Sequence, residues 1–369
     1  MLNIRNDANS ISRLFGLSKK VVLYGAGASA RLILQAFYYR GLRERLAFIV
    51  DKNAALDHTW CEAEGGICVE VISLTHFLAR FGTHIREEYI LLITPFSAMW
   101  IVEELDRIEL LNGVDTYVYA LMAGKESPGE FPLRSLDKPV IPRRIHYIWI
   151  GENAMSEEDQ RNIESWRKFC PDYEIVKWDE SNYDFRRNSY MREALEQKKY
   201  MYATDYARKD ILYQYGGIYM DTDVELLNPL DDLLYNEAFI GIEDGGQLNS
   251  GSGLGAVAGH PAMLEMGEVY QHIHFVLPDG KCNIKYNTFY ETSYMIAKGY
   301  ELENRYQNVN GVVCLPKEVL MPESVIGLYD TYTKNTLANH KINPYDKTGV
   351  RKVLKRIISG VAIDDSGIV

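Results

Sequence analysis

Cysteine, long apolar runs and excess positive charge are all scarce in this chain of 369 residues. The five cysteines, Cys61, Cys68, Cys170, Cys282 and Cys314, are odd in number and show no paired-ligand spacing. That argues against a disulfide framework or a structural zinc site and for a reduced compartment. No apolar stretch approaches the roughly 20 residues that span a bilayer. The opening run Met1-Leu2-Asn3-Ile4-Arg5-Asn6-Asp7 lacks the apolar core of a signal peptide. A cytoplasmic location is therefore expected. A net charge of -11 argues against nonspecific nucleic-acid binding, which needs a basic face. Anionic small molecules stay open, because a bound divalent ion reverses the local sign.

Hydrophobic residues at 47% and charged residues at 25% describe a globular chain, and its length suits two domains. Over residues 1–124 short apolar strands alternate with amphipathic helices. Strands are expected at Val21–Tyr24, Leu46–Val50, Tyr89–Thr94 and Thr116–Tyr119. Alternation of this kind builds an α/β fold on a parallel sheet. Pro128, Pro132, Pro139 and Pro142 then mark 125–142 as a linker or extended arm. A second alternating region, 143–348, carries most of the aromatic residues, and 349–369 forms a tail.

The most informative segment runs from Tyr202 to Asp223. Ala203, Ala207, Ile211 and Tyr215 make a helical stripe, and Gly216-Gly217 stops the helix. Ile218-Tyr219-Met220 reads as a short buried strand that delivers the triplet Asp221-Thr222-Asp223. If the extended conformation persists, the two aspartates point the same way and form an oxygen-rich site for magnesium or manganese. Asp205 and Arg208, three apart, share a helix face and can pair. An Asp-x-Asp triplet alone is usually a solvated turn, and the pair alone an ordinary surface salt bridge. Joined by the glycine stop and the apolar strand, they are far more specific.

This segment resembles the signature of glycosyltransferase family 32, sugar transferases with a DXD sugar-binding region. It is also similar to the catalytic core of the large glucosylating bacterial toxins. Further matches follow in order: Ile145-His146-Tyr147-Ile148-Trp149-Ile150-Gly151, Ser165-Trp166, Pro171-Asp172-Tyr173-Glu174, Leu248-Asn249-Ser250-Gly251 and Gly255-Ala256-Val257-Ala258-Gly259-His260-Pro261. The resemblance covers roughly Ile141 to Tyr345. It implies a GT-A fold, a Rossmann-like nucleotide-sugar unit, preceded here by a smaller Rossmann-like parallel α/β domain.

By the resemblance, Asp223 is the direct metal ligand and Asp221 touches ribose, donor sugar or metal. Asp205 and Arg208 contact the donor sugar and diphosphate. Tyr147, Trp149, Tyr219, Asn249 and Tyr345 are donor-side candidates, Trp149 as a platform for the base. Core packing is the competing reading for Trp149. Glu243 and Asp244 are acceptor-side candidates, with a solvated loop as the alternative. Where the family usually has paired histidines leading to a tryptophan, this chain has Asn339-His340 and then Tyr345, with His340 left as a third metal ligand or a structural side chain.

The implied reaction moves a sugar from a UDP- or GDP-sugar, with Mn2+ or Mg2+ as cofactor, to a glycan or lipid-linked glycan, as in surface polysaccharide synthesis. Families of this type retain anomeric configuration, so an α-donor gives an α-product. In physical terms, a divalent ion helped by Arg208 stabilises the charge that develops on the leaving diphosphate.

Two features lie outside this reading. Gly25-Ala26-Gly27-Ala28-Ser29-Ala30 after a strand, with Asp51 ending the next one, matches the dinucleotide fingerprint. A sugar-nucleotide oxidoreductase or epimerase is therefore a rival function, although no Tyr-x-x-x-Lys pair follows. A module that binds a nucleotide without redox chemistry, or only scaffolds, is the alternative, and its bearing on catalysis is expected to be weak. A noncatalytic sugar-nucleotide-binding module is the third reading. At 350–358, Val350, Val353, Leu354, Ile357 and Ile358 face away from Arg351, Lys352, Lys355 and Arg356. Such a helix suits peripheral contact with the inner face of a membrane, or packing on the catalytic unit.

Overall fold

The computed structural model describes residues 1–5, 10–14, 16–63, 65–96, 98–122, 129–324 and 330–341. Tyr345 and the expected helix at 350–358 lie outside them. The chain adopts the α/β class, on two seven-stranded sheets.

The first sheet holds β1 (Asn3–Ile4), β2 (Lys20–Tyr24), β3 (Leu46–Asp51), β4 (Thr59–Ala63), β5 (Ile67–Ser73), β6 (Tyr89–Ile93) and β7 (Asp115–Val118). Their order is β1-β7-β6-β2-β3-β5-β4. All pairs are parallel except β4 with β5. The continuous apolar runs of β2 and β6 fit burial on both faces, which parallel strands require. The β4–β5 hairpin was not among the expected strands, although Gly65-Gly66 between them, both at positive φ, is a turn signal.

The second sheet begins with β8 (Arg144–Ile148), β9 (Glu174–Trp178) and β10 (Gly217–Tyr219). The strands β11 (Val224–Leu226) and β16 (Ala338–His340) stand apart as an antiparallel pair. Completing the large sheet are β12 (Ala238–Ile242), β13 (Leu248–Ala256), β14 (Gln307–Val309) and β15 (Val312–Leu315), in the order β14-β15-β12-β13-β10-β8-β9. β10 lies parallel to β8 and antiparallel to β13, deep in the sheet. From residue 129 to β8 the chain has no helix or strand. It lies along the 3-10 turn Asp231–Tyr235, with Val140 and Ile141 N–H groups donating to Leu234 O.

One buried apolar cluster runs through both sheet units. It joins Leu32 and Phe37 of the helix Ala28–Tyr39 to Tyr290 and Ile296 of the helix Asn287–Ala297. Between these helices the Gln35 amide donates to Ser293 O at 2.9 Å and accepts from the Ser293 hydroxyl at 2.8 Å. Among the described residues, no helix is long and apolar enough to cross a membrane.

Candidate active site

The helix Tyr200–Tyr215 supplies the floor of the site. Ala203, Ala207 and Ile211 are fully buried as their stripe predicts, whereas Tyr215, at the helix end, is exposed. Gly216 and Gly217 follow at φ +62° and +108°, values that a side chain strongly disfavours. A Cβ on Gly217 would stand 2.8 Å from Arg144 O and 2.9 Å from His146 Nε2. The glycine pair thus both ends the helix and lets β10 slip in beside β8.

The acidic triplet departs from expectation in one respect. β10 ends at Tyr219, and Val224 N–H donates to Asp221 O at 3.2 Å, so Asp221–Val224 is a turn rather than extended chain. Turn geometry, not strand alternation, brings Asp221 and Asp223 together. The turn is held from behind by the helix Glu157–Phe169. Asn162 donates to Thr222 O (2.9 Å), Trp166 Nε1 to Val224 O (2.7 Å), and Thr222 Oγ1 to Asp159 Oδ1 (2.8 Å). Lys341 N–H closes the other side on Asp223 O at 2.9 Å. These contacts give the Ser165-Trp166 motif a physical purpose.

One ligand atom each from Asp221, Asp223 and His340 lies within 4.8 Å of the others. His340 Nε2 stands 3.0 Å from Asp223 Oδ1, and its buried Nδ1 has no hydrogen-bond partner among the described residues. Burial works against the imidazolium, yet Asp223 raises the His340 pKa. Desolvation likewise opposes the Asp223 charge, and His340 outweighs it to lower that pKa. Two carboxylates and an imidazole converging on one point, with both aspartates partly exposed, are a donor set that fits a divalent cation.

Arg208 ties this turn to the helix. Its guanidinium lies 3.5 Å from both Asp205 Oδ1 and Asp221 Oδ2 and 4.8 Å from the Tyr219 ring centroid. It donates to Thr204 Oγ1 (2.8 Å) and Ser250 Oγ (3.2 Å). With a 2% exposed side chain, Arg208 reaches Asp221 from beneath rather than opening to solvent. Desolvation pushes the Asp205 carboxyl up to about 7, against the pull of Arg208 and Lys209. Tyr219 donates its hydroxyl to Asp221 Oδ1 at 2.7 Å.

Behind this group sits a buried pair of Lys209 and Glu291. Glu291 also accepts from the Ser250 backbone N–H at 2.9 Å and from its hydroxyl at 2.5 Å. Asn287 reaches the same hydroxyl at 3.2 Å. Lys209 and Ser250 lie within the recognised motifs but were not singled out. Asn287 and Glu291 had no signal at all, since their helix has no distinctive sequence pattern.

The other candidates separate by position. Asn249 donates to Glu243 Oε2 (2.8 Å) and accepts from Gly251 N–H (2.8 Å), which places both Asn249 and Glu243 beside the turn. Desolvation pushes Glu243 up to about 8. Asp244 points away, buried against Lys317 at 2.5 Å and Ser324 at 2.9 Å. Tyr147 is buried edge-on to Trp166. Trp149 is half-buried against the same cluster, its Nε1 donating to Asn153 O at 2.9 Å.

In the first unit Gly25 has φ +97° and Gly27 precedes the helix Ala28–Tyr39, so the fingerprint turn is present. Asp51, however, accepts from Ala26 N–H and Asn53 N–H, both at 2.9 Å. Its carboxylate braces the turn itself.

Residues 156–240 match the family described as "Glycosyltransferase sugar-binding region containing DXD motif". Inositol phosphoceramide mannosyltransferase 1 of Schizosaccharomyces pombe is 34% identical over 42% of this chain and 48% of its own length. Inositol phosphoceramide mannosyltransferase 3 of the same yeast is 35% identical over 34% and 36%. The chain thus spans half or less of the length of these relatives. Among solved structures, PaToxG glycosyltransferase aligns over 42% of this chain and 69% of its own, at 20% identity. The TM-score of 0.33 is too low to define a shared fold. The stretch from Ser156 to Ile240, which carries the acidic turn, thus matches the DXD-containing glycosyltransferase sugar-binding region.

Proposed function

We propose that the chain is a glycosyltransferase that moves a sugar from a nucleotide diphosphate to a glycan or glycolipid acceptor, with retention of configuration. The observation that carries this reading is the convergence of Asp221, Asp223 and His340 on one point, underpinned by Arg208. Manganese or magnesium held there would act as a Lewis acid on the leaving diphosphate. Arg208 holds the Asp221 carboxylate in place, and Tyr219 orients its Oδ1. Asn249, the donor-side candidate, and Glu243, the acceptor-side one, border the same turn and are joined by a hydrogen bond. The yeast relatives' names make a mannose donor and an inositol-lipid acceptor the first pair to assay. A glycolipid acceptor would also suit the reading of a cytoplasmic enzyme working at a membrane surface.

Metal-dependent release of nucleoside diphosphate from a panel of UDP- and GDP-sugars tests the reading. Asp223→Asn should abolish that release while leaving the unfolding midpoint near the wild-type value. Undiminished release in excess chelator, or full activity of the variant, would sink it.

A further inference from the structure

The N-terminal unit touches the second unit at several places, among them Ser12 and Arg40 against Glu301 and Glu303, and two of these contacts lie behind residues of the acidic site. The first is the turn from Glu243 to Gln247 that joins β12 to β13. Its backbone closes through Glu243 N–H to Gln247 O (2.7 Å) and Gly246 N–H to Glu243 O (3.1 Å). Gly245, at φ +80°, lies flat against two rings of the first unit: a Cβ there would be 2.8 Å from Phe96 Cζ and 3.1 Å from Tyr119 Cζ. The Tyr119 hydroxyl donates to Gly245 O at 2.5 Å, and the two rings meet edge-on at 5.6 Å. Opposite them, Tyr300 donates to Gly246 O at 2.7 Å and Lys317 holds Asp244. The turn is therefore clamped from both sides, and the residue it presents to the acidic cluster is Glu243.

The second place is the Gln35–Ser293 pair. Ser293 lies on the helix whose Asn287 and Glu291 hold Ser250, and Ser250 accepts from Arg208. On the same helix Thr292 accepts from Leu248 N–H at 2.8 Å, at the start of β13. Both contacts are buried, where a satisfied polar pair fixes geometry and a broken one is costly.

We propose that the N-terminal unit is a positioning element of the active site, with Tyr119 setting Glu243 through the Gly245 carbonyl and Gln35 setting the helix that carries Asn287 and Glu291. The proposal rests on the glycosyltransferase reading for its kinetic consequence, though not for its structural one. It assigns the first unit a task that its fingerprint turn does not suggest. Tyr119 and Gln35 touch no substrate; each acts through a neighbour.

Tyr119→Phe deletes one hydroxyl and keeps the ring contact with Phe96. Hydrogen exchange of the 243–247 amides should quicken about tenfold, the effect of removing one buried hydrogen bond from a local opening equilibrium. In metal-dependent donor hydrolysis, where water takes the acceptor's place, kcat should fall about tenfold with donor KM within twofold. Glu243→Gln alone should lose as much as the double variant, because one change acts through the other. Gln35→Leu should quicken exchange over 287–293 and not over 243–247. Unchanged exchange in Tyr119→Phe, or losses that add in the double variant, would overturn the proposal. A wild-type protein that turns over no sugar nucleotide would defeat the glycosyltransferase reading instead, and the exchange arm would still decide the positioning role.

Discussion

Asp221 rests where a side chain at position 251 would have to be. A Cβ on Gly251 would come within 2.3 Å of Asp221 Oδ2 and 3.0 Å of Asn249 Oδ1. Asp221 N–H also donates to Gly251 O at 3.0 Å, so backbone and carboxylate are seated on the same glycine. Gly251→Ala should therefore push the carboxylate away from Asp223 and His340. The manganese concentration needed for half-maximal donor hydrolysis should rise at least about tenfold, while overpacking costs about 1–3 kcal/mol in urea unfolding. An unchanged manganese requirement would show that Asp221 tolerates displacement. The run Leu248-Asn249-Ser250-Gly251 was legible as a motif, but the reason for its glycine was not. That reason is a contact between Gly251 of β13 and Asp221 in the turn that follows β10, 30 positions apart.

At the scale of elements, the glycine pair after the helix Tyr200–Tyr215 does more than stop it. Gly217 sits between β8 and β13 with its φ at +108°, against Arg144 O and His146. Gly217→Ala should cost about 3 kcal/mol or more, combining backbone strain with overpacking. Gly259, at φ +76° with nothing within 4 Å of a Cβ, is the control. Gly259→Ala should cost only about 1 kcal/mol, since strain acts there alone. Equal urea midpoints for the two variants would refute the steric account of Gly217. The helix, its stop and the following strand were readable because periodicity and glycine are local signals. The turn at Asp221–Val224 was not, since contacts from Asn162, Trp166 and Lys341 impose it from distant parts of the chain.

For the molecule as a whole, His146 gives a pH dependence with a defined sign. Its Nε2 donates to Gly216 O at 2.8 Å and its Nδ1 accepts from Trp178 Nε1 at 3.0 Å. A second proton on Nδ1 would face the indole N–H. Desolvation is the larger cause that lowers this pKa from 6.5 to about 4. Between those values the unfolded chain takes up a proton that the folded one refuses, so this contribution is complete above pH 6.5 and is lost as pH falls toward 4. From pH 7 to pH 5 the loss is about 2 kcal/mol. Glu243 and Asp205, held up to about 8 and about 7, act in the opposite direction over much of this window. The His146 share is isolated by comparison: the stability advantage of wild type over His146→Gln should shrink by about 2 kcal/mol between pH 7 and pH 5. A constant difference would mean that His146 titrates normally.

By itself the sequence determined the α/β class, the helix–glycine–strand unit and the acidic triplet, because each is written in neighbouring residues through periodicity, backbone freedom and residue chemistry. It also carried Asp205, Arg208 and His340 as candidates, through their places in recognisable motifs. Only the tertiary structure decided that Asp244 turns toward Lys317 while Glu243 stays beside Asn249. It alone decided that Asn287 and Glu291 underlie the site, and that Tyr119 and Gln35 reach across from the first unit. Those outcomes depend on which of many compatible surfaces meet once the two sheets share a core. Pairings more than a hundred residues apart, such as Gln35 with Ser293, leave no periodic trace in one sequence, because sheet stacking and loop closure select them rather than local conformational preference.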